Sequence, residues 1–146
     1  MKTLNSGKAV VVAVGLAVLV MAMPASAQSS MRINIPFAFT AGNETLPAGQ
    51  YNFVVDSNFS LCHIDSMADG SVHMVRFEPG TSGRQKTDVR TGAVQFKKYG
   101  DHYLLTGVFR PGFVDGLATI NSRRAIESAK NSGSAAEVVS IDSSIR

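Results

Sequence analysis

Cys62, His63, Asp65 and His73 are the residues of this 146-residue chain whose types and spacing could do chemistry. Thiolate, imidazole and carboxylate are all transition-metal ligands, and a thiolate beside an imidazole is a potential nucleophile. Whether they meet depends on the turn at Met67-Ala68-Asp69-Gly70, where Asp-Gly between two short apolar runs signals a hairpin. With a three-residue loop and a Gly bulge, Asp65 opposes His73, and His63, Asp65 and His73 share one face at cross-strand distance. With a two- or four-residue loop, His63 and His73 point to opposite faces and no cluster forms. Even the favourable register offers only three loosely arranged ligands, without a Cys-x-x-Cys or His-x-His spacing. Ordinary strand histidines are the expectation, with no stoichiometric metal and no cofactor.

Cys62 and His63 do not make a catalytic pair, because neighbours along a strand project to opposite faces. Cys62 beside Ile64 reads as a small buried apolar side chain. The chain has no Gly-x-Ser-x-Gly elbow, phosphate-cradling loop or dinucleotide fingerprint, and its carboxylates are scattered over turns and strand ends. No catalytic residue is assigned, and enzymatic activity is not expected. Arg84, Lys86 and Arg90, with Lys97-Lys98, read as a solvated edge that discourages strand-to-strand aggregation. Asn43-Glu44-Thr45 and Asn58-Phe59-Ser60 fit the glycosylation sequon, which carries weight only in a glycosylating host.

The elements that would position these residues are strands. Ile33, Ile35, Phe37 and Phe39 fall on one parity, as do Tyr51, Phe53 and Val55, the period of a strand with one buried face. Pro36 places the first strand at an edge or a bulge, because proline has no backbone donor. Leu46-Pro47-Ala48-Gly49 is a corner between them. Runs 60–65 and 72–77 form the hairpin discussed above. Runs 93–99 and 102–110 flank Gly100-Asp101, a two-residue loop with glycine first, as a type II′ turn requires. Tyr103, Leu105 and Phe109 are expected on one face there, and Pro79 to Gly92 as an exposed loop. Asn121 reads as the N-cap of a helix from Ser122 to about Lys130. The expected fold is mainly β: a small antiparallel β-sandwich or partly closed barrel of about six strands with one short C-terminal helix. A transmembrane barrel would need more and longer strands.

The amino terminus bounds the location. Lys2 and Lys8 precede an uncharged apolar run, Ala9 to Met23, shorter than a membrane span of about 20 residues. Pro24 and Ala25-Ser26-Ala27 then supply the break and the small residues of a signal-peptide cleavage site. The expected organisation is a signal peptide over 1–27, a β domain over 28–130, and a flexible or weakly ordered tail over 131–146. Of 14 Lys and Arg, Lys2 and Lys8 leave with the signal, so 12 remain against 11 Asp and Glu. That near-neutral balance argues against nucleic acid as a partner. The single cysteine excludes an intramolecular disulfide despite an oxidising destination, periplasmic or extracellular.

Ile35-Pro36-Phe37 with Phe39, Leu46-Pro47-Ala48-Gly49 with Tyr51, and Tyr99-Gly100-Asp101 with Tyr103 form a recurring set. In these motifs the chain, over roughly 33–126, resembles a family of small secreted proteins abundant in soil-bacterial genomes. The resemblance implies export and a β fold but no particular activity. It departs from the family pattern at Ala38, where relatives often carry an acidic residue, and in a longer tail beyond Asn131. Two functions fit the sequence. The favoured one is a non-catalytic exported protein with a structural or interaction role, contacting a protein or a glycan. The alternative is a carrier of a small apolar ligand, its pocket lined by Phe37, Phe39, Tyr51, Phe53, Phe96 and Phe109. Six short strands favour a filled interior, since about eight are needed to enclose one small ligand.

Overall fold

The computed structural model describes residues 28–58, 60–79, 90–133 and 137–144. The expected signal peptide and its cleavage site, Arg84 and Lys86, and the middle of the second sequon lie outside these residues. Among the described residues, no helix is long and apolar enough to cross a membrane.

The chain is mainly β, with a meander of four longer strands: β1 (Ser29–Ile35), β4 (Gly49–Asp56), β5 (Leu61–Ser66) and β6 (Val72–Pro79). The others are β2 (Phe39–Ala41), β3 (Glu44–Leu46), β7 (Ala93–Tyr99), β8 (His102–Phe109), β9 (Leu117–Thr119) and β10 (Glu137–Asp142). They form one open mixed sheet in the order β1-β4-β5-β6-β9-β8-β2-β3, with β7 and then β10 branching from β8. All pairings are antiparallel except β2 with β8, where Phe39 and Thr40 face Tyr103 and Leu104. The expected count of about six strands is therefore corrected to ten. Of the four additions, β2, β3 and β9 have three residues each, too few to display a period in sequence, and β10 lies in the tail expected to be weakly ordered.

Pro36 divides what the sequence presents as one strand. Without an N–H it cannot extend the β1–β4 ladder, which ends at Ile35 opposite Gly49. Beyond it, Phe39 starts β2 in a different neighbourhood, beside β8. Alternation then gives one apolar interior to which both halves of the sheet contribute: Ile33, Phe53, Ile64 and Val75 from the meander, and Phe39, Phe96, Leu105 and Val108 from the rest. Fully burying each such side chain contributes about 1.5–3 kcal/mol relative to leaving it exposed.

The second hairpin turns where expected, with Tyr99 opposite His102 and Gly100 at φ 59°. One expectation fails: Phe109 does not share a face with Leu105. Phe96 pairs with Leu105 while Gln95 pairs with Gly107, so Thr106 is an extra residue on β8. A bulge reverses the side-chain parity beyond it. Val108 takes the interior position, and fully buried Phe109 packs on the other side against Gly116. A Cβ on Gly116 would lie 2.5 Å from the Phe109 ring.

The helix α1 spans Arg123–Lys130 and is capped by Ser122, whose Oγ accepts from Ala125 N at 3.1 Å. Asn121, expected as the cap, is instead a strut. Its Oδ1 accepts from Gly42 N at 2.9 Å and its Nδ2 donates to Leu105 O at 2.7 Å. The tail expected to be flexible or weakly ordered over 131–146 contains β10, paired along β7 with Val139 opposite Phe96 and Ile141 opposite Val94. Val139 and Ile141 pack on the interior, which gives this strand an apolar anchor. Past it, Ser144 N donates to Arg32 O of β1 at 3.1 Å, drawing the two outer strands together at one end.

Candidate functional site

The turn after β5 decides the fate of the predicted ligands. Ser66 N donates to Ser71 O at 2.8 Å and Gly70 N to Ser66 O at 3.0 Å, closing a loop of Met67 to Gly70 with Gly70 at φ 73°. That is the four-residue loop. His63 consequently faces Met74, Ile64 faces His73, and Asp65 faces Val72. The arrangement uniting His63, Asp65 and His73 is thus corrected: His63 and Asp65 lie on the outer face, and His73 projects to the interior side beside Ile64. Asp65 Oδ2 is 3.5 Å from Asn52 Nδ2, its cross-strand neighbour. Among the described residues no group of three or more His, Cys, Asp and Glu side chains is placed to hold a metal.

Cys62 is buried, as its alternation implied. Burial first, and the Asp65 charge second, push its thiol up to about 12, so the thiolate that nucleophilic chemistry needs is suppressed. His63 belongs to the opposite face of β5.

His73 instead joins residues that sequence spacing did not group. Its Nδ1 is 2.6 Å from Glu44 Oε2, and its Nε2 is 3.1 Å from Ser71 Oγ. Ser71 Oγ is also 2.8 Å from Asp69 Oδ1, which accepts from Ser71 N at 3.0 Å as well. Serine, histidine and carboxylate stand here in the order of an acyl-transfer triad. Proton counting argues for another role. The Ser71 hydroxyl has one proton and two claimants, Asp69 and His73. Asp69 holds its carboxyl at about 2, chiefly through the Ser71 backbone N–H, then the Ser66 and Ser71 side chains, so it is the anion that draws that proton. The Ser71 hydroxyl therefore points its proton at Asp69 and not at the imidazole, and Glu44, His73, Ser71 and Asp69 run as a strap of side-chain contacts across the surface.

The strap crosses a seam. β3 pairs only with β2, and β6 meets β9 only over Phe77–Pro79, so no ladder joins β3 to the first half of β6 among the described residues. Behind it, Tyr51 is buried and donates from its hydroxyl to Pro47 O at 2.6 Å. Burial, then the Asp69 charge, raise the Tyr51 phenol and keep it protonated. Glu44 escaped the sequence reading because it lies 29 residues from His73, inside a segment noted only for its glycosylation sequon. The only local signal was the Asp69–Ser71–His73 spacing.

The six aromatic residues proposed as pocket lining are distributed differently. Phe39 meets Tyr51 edge-on at 5.4 Å and Phe96 at 5.3 Å between centroids. Phe37 meets Phe96 edge-on at 5.2 Å and stacks on Tyr103 at 3.7 Å. These rings fill space with one another. Open grooves lie outside, one of about 490 Å³ between α1 and the β2–β3–β8 surface. Comparison with protein-family models, curated proteins and solved structures finds no match to this chain.

Proposed function

We propose that the protein is a non-catalytic exported protein with an interaction role in the cell envelope or outside the cell, meeting a protein or glycan partner through its outer surface. Its ten strands are read as two halves folded over one apolar interior in the manner of a sandwich. The observation that carries the functional reading is the ring packing around Phe39. Phe37, Phe39, Tyr51 and Phe96 contact one another at 5.2–5.4 Å in a chain, so the residues able to line an apolar pocket occupy that space themselves. A carrier of a small apolar ligand requires the same rings to stand apart. Recognition is left to surface grooves and exposed side chains. The signal-like first 27 residues, and the motifs shared in pattern with small secreted proteins, support export.

Two measurements test this. Mass spectrometry of protein from its native host is expected to find Gln28 at the amino terminus; an intact Met1 sinks the export half. The immobilised protein is expected to retain specific material from its host's envelope, sensitive either to protease or to periodate. Retention of neither kind overturns the interaction half, as does saturable binding of a fatty acid or an apolar dye in the interior.

A further inference from the structure

The groove between α1 and the sheet has a composition that selects its ligand. Its floor and walls include Tyr103 and Leu104 of β8, Thr40 and Thr45 of the β2–β3 hairpin, Asn43 between those strands, and Ser122, Arg124, Ala125 and Ser128 at or on α1, with His102 at one end. The volume, about 490 Å³, falls within the usual range for small-molecule sites. Four of the polar side chains are uncommitted. Among the described residues, Asn43, His102, Arg124 and Ser128 make no side-chain hydrogen bond or ion pair, although they converge on one space. Thr40 and Thr45, with hydroxyls 3.2 Å apart, exchange only a bond with each other.

These groups suit a particular chemistry. Hydroxyl, amide and imidazole groups distributed around a small apolar floor match a ligand carrying many hydroxyls on a compact ring. Tyr103 borders the groove only through its place beside Leu104 on β8, since its ring turns to the interior face and stacks on Phe37 at 3.7 Å; buried Leu104 is the apolar floor. Arg124 is the one permanently charged residue of the lining, and no carboxylate opposes it there. Its planar fork pairs two donors with one carboxylate. A neutral sugar would leave that guanidinium unanswered; a simple carboxylate would leave the hydroxyls and the Leu104 floor unused.

We propose that this groove binds an acidic saccharide, a uronic-acid unit whose carboxylate pairs with Arg124. Its ring hydroxyls then meet Asn43, Thr45, His102 and Ser128, and its apolar edge lies over Leu104. The inference deepens the interaction role proposed above by naming a glycan class, and it rests on that reading.

The test is a titration of the exported protein, followed by amide NMR, with digalacturonate, neutral digalactose and acetate as probes. Digalacturonate is expected to give saturable shifts at Thr45, His102 and Ala125 with a Kd of about 1 mM. Arg124→Gln should weaken it by about tenfold at unchanged melting temperature, the size of one charge-assisted contact. Ser128→Ala, which leaves the charge in place, should weaken it less. Digalactose should bind about tenfold more weakly than digalacturonate. Absence of saturable shifts, shifts elsewhere on the molecule, unaltered binding by Arg124→Gln, equal binding of digalactose, or identical groove shifts from acetate would each overturn the proposal. Envelope capture separates the two failures: material retained equally by the native protein and by Arg124→Gln leaves the interaction reading standing and removes only the groove.

Discussion

His73 Nδ1 and Glu44 Oε2 stand 2.6 Å apart across the seam between β6 and β3, two strands that share no ladder. Gly42, at the tip of the β2–β3 hairpin, approaches the same strand at Val75, where an added Cβ would lie 3.8 Å from Cγ2. Among the described residues, the hairpin is therefore held on the meander by side chains instead of by backbone hydrogen bonds. Such a junction can be weakened one residue at a time without unfolding the strands on either side.

Removing the strap should cost little in global stability. Glu44 is 57% exposed, so its pair with His73 is screened by water and salt. Glu44→Gln is expected to lower unfolding free energy by about 0.5–1 kcal/mol in urea titration at low salt, and by less at high salt. Hydrogen exchange should report more: amides of β2 and β3 should exchange faster while those of β4 and β5 do not. Uniform acceleration across the sheet would show that the pair is not confined to the seam.

Asp69 gives the turn a defined acid limit. Its carboxyl titrates at about 2 because Ser71 N–H, Ser66 and Ser71 bond to the ionised form, against an ordinary 3.8. A depressed folded value means that the contribution is complete above the ordinary value and disappears as pH falls toward 2. In acid titration the native protein is expected to lose stability across that interval. Asp69→Asn should start lower and lose less there. Equal pH slopes for the two proteins would remove Asp69 from the account.

Cys62 should behave as a protected thiol. Burial raises it to about 12, with Asp65 adding to the shift. At pH 8 an aromatic disulfide reagent is expected to modify it only as fast as the protein opens, and at once in denaturant. Rapid stoichiometric labelling of the folded protein would contradict its placement on the inner face of β5.

Gly116 should tolerate nothing larger. A methyl group there falls 2.5 Å from Phe109 Cε1, and Phe109 has no exposed surface into which to retreat. Gly116→Ala is expected to destabilise by about 1–3 kcal/mol, the usual cost of overpacking. Adding Phe109→Leu should recover part of the loss, which a purely conformational effect at Gly116 would not allow.

Much of the fold was legible from residue order. Alternation at Ile33 and Ile35, and at Tyr51, Phe53 and Val55, marked the buried faces, because a strand's period of two is local. Gly100-Asp101 marked a turn, because a positive φ selects for glycine within two residues of chain. Cys62 was recognisable as buried from its neighbours alone. What lay beyond the sequence depended on distance or on one residue of slippage. The extra residue at Thr106 moved Phe109 to the other side, and a loop of four instead of three separated His63 from His73. Both outcomes follow from backbone geometry that nearly identical local sequences can adopt. Glu44 met His73, and Asn121 left the helix cap to brace Gly42 and Leu105, only because β2 and β3 cross to β8 after Pro36. Local propensity has no information about such crossings, since they are decided by how the apolar faces close over one another.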